Sequence, residues 1–174
     1  MKNKITKLAI FDFDGTLVDT PLPLIGKPIY EQKTGQKWPH RGWWGQALSL
    51  DTTIFDMPVV KDVVTAFHKE AEQPSTALVV MTGRLEALRT EVTDILDSHG
   101  LKFHEYHLNT GGRTEFVKMR TMEKLLKKYS DVTHIELWDD SLEHIPIFEA
   151  FGQKSVDSKA LTSFVVNVVP ADRH

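Results

Sequence analysis

The stretch Leu8-Ala9-Ile10-Phe11-Asp12-Phe13-Asp14-Gly15-Thr16 decides the fold. Its first four residues form a short apolar run, which is typical of a buried strand. Two carboxylates one residue apart, Asp12 and Asp14, follow directly where that strand ends. Open α/β sheets place their ligands at the carboxyl ends of the strands, so we expect both carboxylates at a ligand site. Gly15 then lets the chain turn sharply.

This pair of carboxylates suits phosphoryl transfer. An aspartate can attack phosphorus and form an acyl-phosphate, and a second carboxyl group can protonate the leaving alkoxide and later activate water. We therefore take Asp12 as the candidate nucleophile and Asp14 as the candidate general acid/base. Carboxylates are also natural ligands for magnesium. The alternatives are a simple turn or cap and an EF-hand loop, but here a strand precedes the pair and Gly15 comes two places too early for an EF-hand.

Composition sets the broad class. The chain has 174 residues, 41% hydrophobic and 26% charged, which predicts one globular domain over residues 1–174. Because there is no cysteine, there is no disulfide partner, and oxygen or imidazole must hold any metal. The net charge of −3 argues against a large nucleic-acid footprint but allows a local basic groove. No apolar stretch approaches the roughly 18 residues of a membrane span, so we expect a cytoplasmic protein with no membrane partner.

Strand and helix patterns alternate along the chain. This alternation predicts an α/β fold with a doubly wound parallel sheet. The predicted strands cover residues 8–11, 77–81, 103–108, 134–138 and 164–169, and the predicted helices include 85–96 and 115–129.

Three residues after the second predicted strand are candidates for binding a phosphate. The Thr82 hydroxyl can cap the next helix or donate to a phosphate at the helix N-terminus. Gly83 and Arg84 follow it. The guanidinium fork of Arg84 suits a phosphate, although an arginine at a helix start can also be merely solvated.

Lys118 differs from its basic neighbours in position. It lies in line with Met122, Leu125 and Tyr129, at i, i+4, i+7 and i+11 of the predicted helix, and therefore on the buried side. A lysine is seldom buried unless it meets an anion. We expect Lys118 to stabilise the phosphoryl group and Asp12, with Arg113 and Arg120 as alternatives.

An acidic pair, Asp139-Asp140, ends the fourth predicted strand. Adjacent carboxylates in a crevice repel each other unless a cation is present. We prefer Asp140 as the direct magnesium ligand and Asp139 as a partner of Lys118 or of metal-bound water, with the reverse order open. The alternative is that one of them, or Ser141, caps a helix that begins near Leu142.

These four signatures, in this order, resemble those of the haloacid dehalogenase (HAD) superfamily of phosphatases. The resemblance implies Asp12 as the nucleophile and Asp14 as the acid/base. It also implies Thr82 and Lys118 as further catalytic residues, and magnesium as the cofactor. The metal set would be the Asp12 carboxylate, the Asp14 backbone carbonyl, Asp139 and Asp140.

A longer segment, 20–58, does not have the pattern of a core strand or helix, and its length predicts a small cap or substrate loop. With Gly42-Trp43-Trp44, the Thr82-Gly83-Arg84 triplet and His144 after the acidic pair, the chain resembles, over roughly residues 8 to 152, the phosphatase domain of the Swiss Army Knife RNA-repair proteins. Trp43 and Trp44 would either stack on bases beside the site or anchor the segment to the core.

The function expected from the resemblance is a magnesium-dependent phosphomonoesterase. Its phosphorylated substrate would be an RNA or DNA 3′ end in repair. Two alternatives stay open: a phosphatase of a small phosphorylated metabolite, and a phosphate-binding domain without turnover.

Overall fold

The computed structural model describes residues 4–170. Its centre is a five-stranded, all-parallel sheet in the order β3-β2-β1-β4-β5. The predicted doubly wound α/β fold is therefore confirmed. The strands are β1 (Lys7–Phe11), β2 (Thr76–Leu85), β3 (Glu105–Asn109), β4 (His134–Asp139) and β5 (Ser163–Val168).

Helices cover both faces of the sheet because the side chains of β1 alternate between them. The α-helices are α1 (Pro23–Thr34), α2 (Lys61–Ala71), α3 (Arg89–Ser98), α4 (Thr114–Lys128) and α5 (Ile145–Asp157), with short 3₁₀ turns at Ala47–Leu50 and Glu86–Leu88. Leu8 and Ile10 face the core beneath α4 and α5, while Ala9 and Phe11 face the core beneath α2 and α3.

The strand order creates a switch point between β1 and β4. The chain builds β1, β2 and β3 toward one edge and then returns to add β4 and β5 on the other side of β1. Phe11 pairs with Trp138 in the parallel register, and the Asp12 N–H donates to the Trp138 carbonyl at 2.9 Å. Asp12 and Asp139 therefore leave neighbouring strands side by side, at the position where such sheets bind ligands.

The segment 20–58 contains more structure than the sequence predicts. It includes α1, where Pro23 occupies the first turn and needs no backbone N–H there. The sequence of this segment lacks the pattern of a core helix, yet Pro23–Thr34 is helical. Trp43 and Phe55 of this segment are 3% and 2% exposed and belong to the same core cluster as Phe11.

None of the helices within residues 4–170 combines the length and the apolar character required to cross a bilayer.

Candidate active site

Asp12 lies at the bottom of the site, 7% exposed. Lys118 Nζ donates to Asp12 Oδ1 at 3.0 Å and to Asp139 Oδ2 at 2.8 Å. On the other side, the Thr16 hydroxyl lies 3.3 Å from Asp12 Oδ2 and 3.4 Å from Asp140 Oδ1. One lysine thus joins the first and last acidic signatures across the switch point.

Lys118 is placed as its helical position predicts. It is 3% exposed in the first turns of α4. Burial by itself lowers the pKa of Lys118, but the carboxylates of Asp12 and Asp139 outweigh burial and raise that pKa above its ordinary value. Lys118 therefore carries its positive charge inside the site. The two alternatives for its role, Arg113 and Arg120, are both exposed.

The carboxylates of Asp12, Asp139 and Asp140 offer oxygens within 4.8 Å of one another. Burial, followed by the neighbouring carboxylates, raises the pKa of Asp12 well above its usual range, and Lys118 offsets only part of this. With Asp14 and Glu143, five carboxylates line the site against two cations, Lys118 and Arg84. This excess negative charge and the all-oxygen donor set fit a hard divalent cation such as Mg²⁺.

The two residues of the acidic pair differ in their contacts. Asp139 is fully buried, and its oxygens accept from Lys118 and from the Ser141 N–H, the latter at 2.9 Å. Asp140 is half-buried and lines the site cavity. The capping alternative for this pair and Ser141 is wrong, because α5 begins only at Ile145 and has no side-chain cap.

Asp14 is held by a buried arginine. Arg84 is 2% exposed, and its Nε and Nη2 donate to Asp14 Oδ2 and Oδ1 at 2.9 and 2.8 Å. Its Nη1 donates to the Trp44 carbonyl and the Ser49 hydroxyl, each at 2.7 Å. Thr20 adds a bond to Asp14 Oδ1 at 2.7 Å. The phosphate-binding fork expected of Arg84 is thus engaged with Asp14 and with residues 44–49.

Thr82 and Gly83 lie inside β2, which runs on to Leu85. Thr82 Oγ1 accepts the Arg84 N–H at 3.1 Å, and Thr82 is 2% exposed. The capping alternative is wrong for Thr82, since α3 begins at Arg89. Gly83 lines the cavity, and a β-carbon there would lie 2.8 Å from the Thr114 side chain. A larger residue at this position would therefore push into the cavity wall.

The two tryptophans of the Gly-Trp-Trp element have different surroundings. Trp43 is 3% exposed, lies against Gly26 and donates its Nε1–H to the Pro21 carbonyl at 3.1 Å, so its ring anchors the segment to the core. Trp44 is 43% exposed and lines the cavity, with Arg84 5.0 Å from its ring centre. Of these two tryptophans, only Trp44 lines the cavity.

Glu115, which pairs with His144 beside the site, was missed from the sequence, whereas His144 itself was part of the resemblance. Glu115 is 5% exposed, and its Oε2 lies 3.4 Å from His144 Nε2. The pKa of Glu115 is lowered mainly because its side chain accepts a hydrogen bond from its own backbone N–H at the start of α4, and Arg113 and His144 lower it further. His144 lines the cavity, and its buried Nδ1 has no hydrogen-bond partner among the described residues. The sequence did offer one signal for this residue, since Glu115 is an acidic residue in the first turn of the predicted helix.

The aspartates, Lys118, Arg84, Gly83, Trp44 and His144 line one cavity of about 550 Å³, whereas Thr82, Trp43 and Glu115 lie behind its lining. Its floor is Asp12, Lys118 and Asp139, and its mouth includes Leu22 and Trp44 from segment 20–58. A cavity of this size accommodates a small ligand or the end of a polymer.

Comparison with known proteins places the chain among related sequences. An uncharacterized protein of Saccharomyces cerevisiae, YMR265C, is 26% identical over 174 residues, covering 86% of this chain and 38% of the yeast protein. The chain thus spans well under half the length of this relative.

Solved structures share the fold. A chain of the Pnkp1/Rnl/Hen1 RNA repair complex matches with a TM-score of 0.62 at 14% identity, over 98% of this chain and 44% of that chain. The haloacid dehalogenase-like hydrolase SP0104 from Streptococcus pneumoniae matches with a TM-score of 0.53 at 13% identity, over 94% of both chains. At these identities the likeness concerns the fold alone.

One protein family matches residues 26–174. The match begins after Asp14 and includes the tail beyond Gly152, so it covers a different span from the residues 8–152 on which the sequence resemblance was based. It covers most of the chain, which confirms the resemblance itself. This chain belongs to HAD domain family 1 of the Swiss Army Knife RNA repair proteins.

Proposed function

We propose that this domain is a magnesium-dependent phosphomonoesterase that works through an aspartyl-phosphate on Asp12 and removes phosphate from nucleic-acid 3′ ends. The observation that carries the proposal is the contact of Asp12 with Lys118 at 3.0 Å, beside two further carboxylates within 4.8 Å. A carboxylate nucleophile, a fixed cation and a cluster of metal-ligand oxygens are the groups that phosphoryl transfer to an aspartate requires.

In the first step, a carboxylate oxygen of Asp12 attacks phosphorus, and the bond from phosphorus to the leaving oxygen breaks. Asp14 gives its proton to that oxygen, so the product leaves as an alcohol. Lys118 places positive charge beside Asp12, where the transferred group gains negative charge.

In the second step, Asp14 takes a proton from water, which attacks phosphorus and releases inorganic phosphate and the Asp12 carboxylate. The contacts of Asp14 indicate which oxygen acts. Its Oδ1 accepts from Thr20 and from Arg84, while its Oδ2 accepts from Arg84 alone. We therefore assign proton transfer to Oδ2.

Asp12, Asp140 and the Asp14 backbone carbonyl would hold Mg²⁺, with Asp139 bridging to Lys118. When bound, the ion neutralises charge on the phosphoryl oxygens and orients them.

Two features support a nucleic-acid end as the substrate. The family itself is defined in RNA repair proteins. In addition, the cavity mouth carries exposed apolar side chains, Leu22 at 37% and Trp44 at 43%, which favour a substrate with a flat base near its phosphate, because bases stack on aromatic rings.

The test is phosphate release in the presence of Mg²⁺ from a 3′-phosphorylated oligoribonucleotide and from a small phosphomonoester. Asp12→Asn is the blank, and intact-mass analysis of the quenched wild-type reaction looks for a phosphate adduct. We expect turnover of both substrates, a higher kcat/KM for the oligonucleotide, and no turnover by Asp12→Asn.

Other outcomes would revise the proposal in different ways. Turnover of the small ester alone would keep the chemistry and indicate a metabolite phosphatase. Turnover that survives in Asp12→Asn would overturn the mechanism. Binding of phosphate without turnover of either substrate would indicate a non-catalytic domain.

A further inference from the structure

A second cavity, of about 400 Å³, lies between β3 and α4. It is lined on the β3 side by residues of the strand and its following turn, and on the helix side by two basic residues and their neighbours. Its lining residues are His107, Leu108, Thr110, Val117, Arg120, Thr121 and Lys124. We call it the basic cavity.

The basic cavity has unbalanced positive charge. No carboxylate lines it, and Arg120 and Lys124 take part in none of the ion pairs found within residues 4–170. Nearby cations differ, since Arg113 pairs with Glu115 and Lys128 with Glu105. Arg120 and Lys124 are one helical turn apart, a spacing at which like charges repel. An anion in the cavity would relieve that repulsion.

The basic cavity lies against α4, the same helix that contributes to the candidate active site. Thr114 and Lys118 line the first cavity, and Arg120 and Lys124 line the second. Six residues separate each matching pair, which is about 9 Å along a helix axis and about 240° around it, so the two cavities lie against different faces of α4. The turn at Gly112 lies beside the basic cavity, since a β-carbon there would lie 3.6 Å from Arg120 Nη2. Gly112 therefore adds no side chain next to Arg120.

We propose that the basic cavity binds an internucleotide phosphate of the single-stranded nucleic acid whose 3′-phosphate occupies the candidate active site. Arg120 and Lys124 provide the charge, and Thr110 provides a hydroxyl at the rim. The inference rests on the proposed function for the identity of the strand, but binding at the basic cavity needs no turnover and can be measured separately.

The test compares two charge-matched double variants. Arg120→Gln/Lys124→Gln removes the two unpaired cations. Lys127→Gln/Lys154→Gln removes two lysines from a cavity of equal volume, about 400 Å³, on another side of α4, and is the control. Fluorescence anisotropy measures binding of a 3′-hydroxyl oligoribonucleotide between about 50 and 200 mM salt. The same proteins are assayed on the 3′-phosphorylated oligonucleotide and on a small phosphomonoester.

We expect the first variant alone to bind the oligonucleotide more weakly. Because each phosphate neutralised on a single strand contributes about 0.7 to the salt slope, loss of the one phosphate contact at the basic cavity should lower the slope by about 0.7. Over this fourfold range of salt, wild-type affinity would then fall about 2.6-fold more than that of the variant. The preference of the enzyme for the oligonucleotide over the small ester should fall as well, and the control should keep both properties.

Several results would overturn the inference. Equal changes in the two double variants would mean a general charge effect, and equal losses on both substrates with unchanged binding would mean a structural role. Displacement of the oligonucleotide by polyglutamate at matched charge would assign the cavity to an acidic protein. If neither substrate is turned over but the binding difference persists, the basic cavity stands and the phosphatase proposal fails.

Discussion

Arg84 provides a sharp test of the proposed chemistry, because two roles for it predict opposite kinetics. In the structure its guanidinium binds both oxygens of Asp14 at 2.8–2.9 Å and also binds the Trp44 carbonyl and Ser49. A residue in this position orients the general acid. The alternative role is direct binding of the substrate phosphate. It would require Arg84 to give up these bonds and to donate to the phosphate instead. The perturbation is Arg84→Gln, with Arg84→Lys as the charge-retaining comparison.

The size of the effect follows from burial. The Arg84 side chain is 1% exposed and that of Asp14 18%, and removing one partner of a buried ion pair costs about 3–5 kcal/mol. Because Asp14 keeps some contact with water and its bond from Thr20, we expect the lower end of that range. The free energy of unfolding of a native domain is about 5–15 kcal/mol in total. Chemical denaturation followed by circular dichroism checks the cost and establishes that the variant is folded under the assay conditions.

The kinetic assay varies the leaving group. An alkyl phosphate needs a proton on its leaving oxygen, whereas an activated aryl phosphate leaves without one. A general acid contributes about 10²–10⁴-fold to the rate. If Arg84 orients Asp14, Arg84→Gln should lower kcat on the alkyl ester by up to that factor. The aryl ester should lose much less, and KM should change little. Arg84→Lys should recover part of the rate, since one ammonium can replace one arm of the fork.

A different result would refute this reasoning. Equal losses on the two esters, or a rise in KM with kcat unchanged, would mean that Arg84 binds the phosphate directly. Asp14→Asn provides the matched control, because it should reproduce the same dependence on leaving group. If Asp14→Asn loses equally on both esters, the acid role of Asp14 itself is wrong.

Three further predictions concern other parts of the molecule. Trp44→Ala should weaken oligonucleotide binding by about 1–3 kcal/mol and leave activity on the small ester unchanged, whereas Trp43→Ala should lower the free energy of unfolding by about 3–5 kcal/mol. Competition binding and denaturation curves distinguish the two variants, and equal effects of both variants in both assays would contradict the assignment. Asp12→Asn should raise the Tm of the metal-free protein at neutral pH by a few degrees, because burial and the nearby carboxylates raise the pKa of Asp12 and make its ionised form costly; an unchanged or lower Tm in scanning fluorimetry would contradict this. Burial and the bond to Glu105 raise the pKa of Tyr129 to about 12, so its protonated form stabilises the fold and that stability is lost as pH rises from about 10 toward 12; an ultraviolet titration should lose its last phase in Tyr129→Phe.

Regular apolar periodicity made most of the fold predictable. The helix predicted at 115–129 is α4, Thr114–Lys128, because its apolar residues recur on one face. The strands were recognisable for the same reason. α2 was missed, since its residues Lys61–Ala71 are mostly polar and bury only Val63 and Phe67. α1 was missed because proline breaks a helix in its interior. Pro23 instead lies in the first turn of α1, where proline is favourable.

Within the site, position on an element was predictable and the choice of partner was not. The helical face of Lys118 indicated a buried cation, and the structure places it on Asp12 and Asp139. The partner of Arg84 could not be found this way, because Asp14 lies 70 residues away in sequence. Their meeting depends on the parallel pairing of β1 with β2, and no local pattern in the sequence records such a pairing.

The strand ends and segment 20–58 contribute different groups to the candidate site. Asp12, Asp14 and Asp139 follow or end the central strands β1 and β4, whose parallel register sets where these strands end, so the proposed chemistry depends on the sheet. Segment 20–58 reaches the same site through Arg84, which binds the Trp44 carbonyl and Asp14 at once. Because the Trp44 ring stays half exposed at the cavity mouth, a group that contacts this ring also contacts the segment that helps to hold Arg84. In the proposed mechanism, substrate choice and the position of Asp14 as general acid therefore depend on one connected set of hydrogen bonds, and changes in segment 20–58 should alter both together.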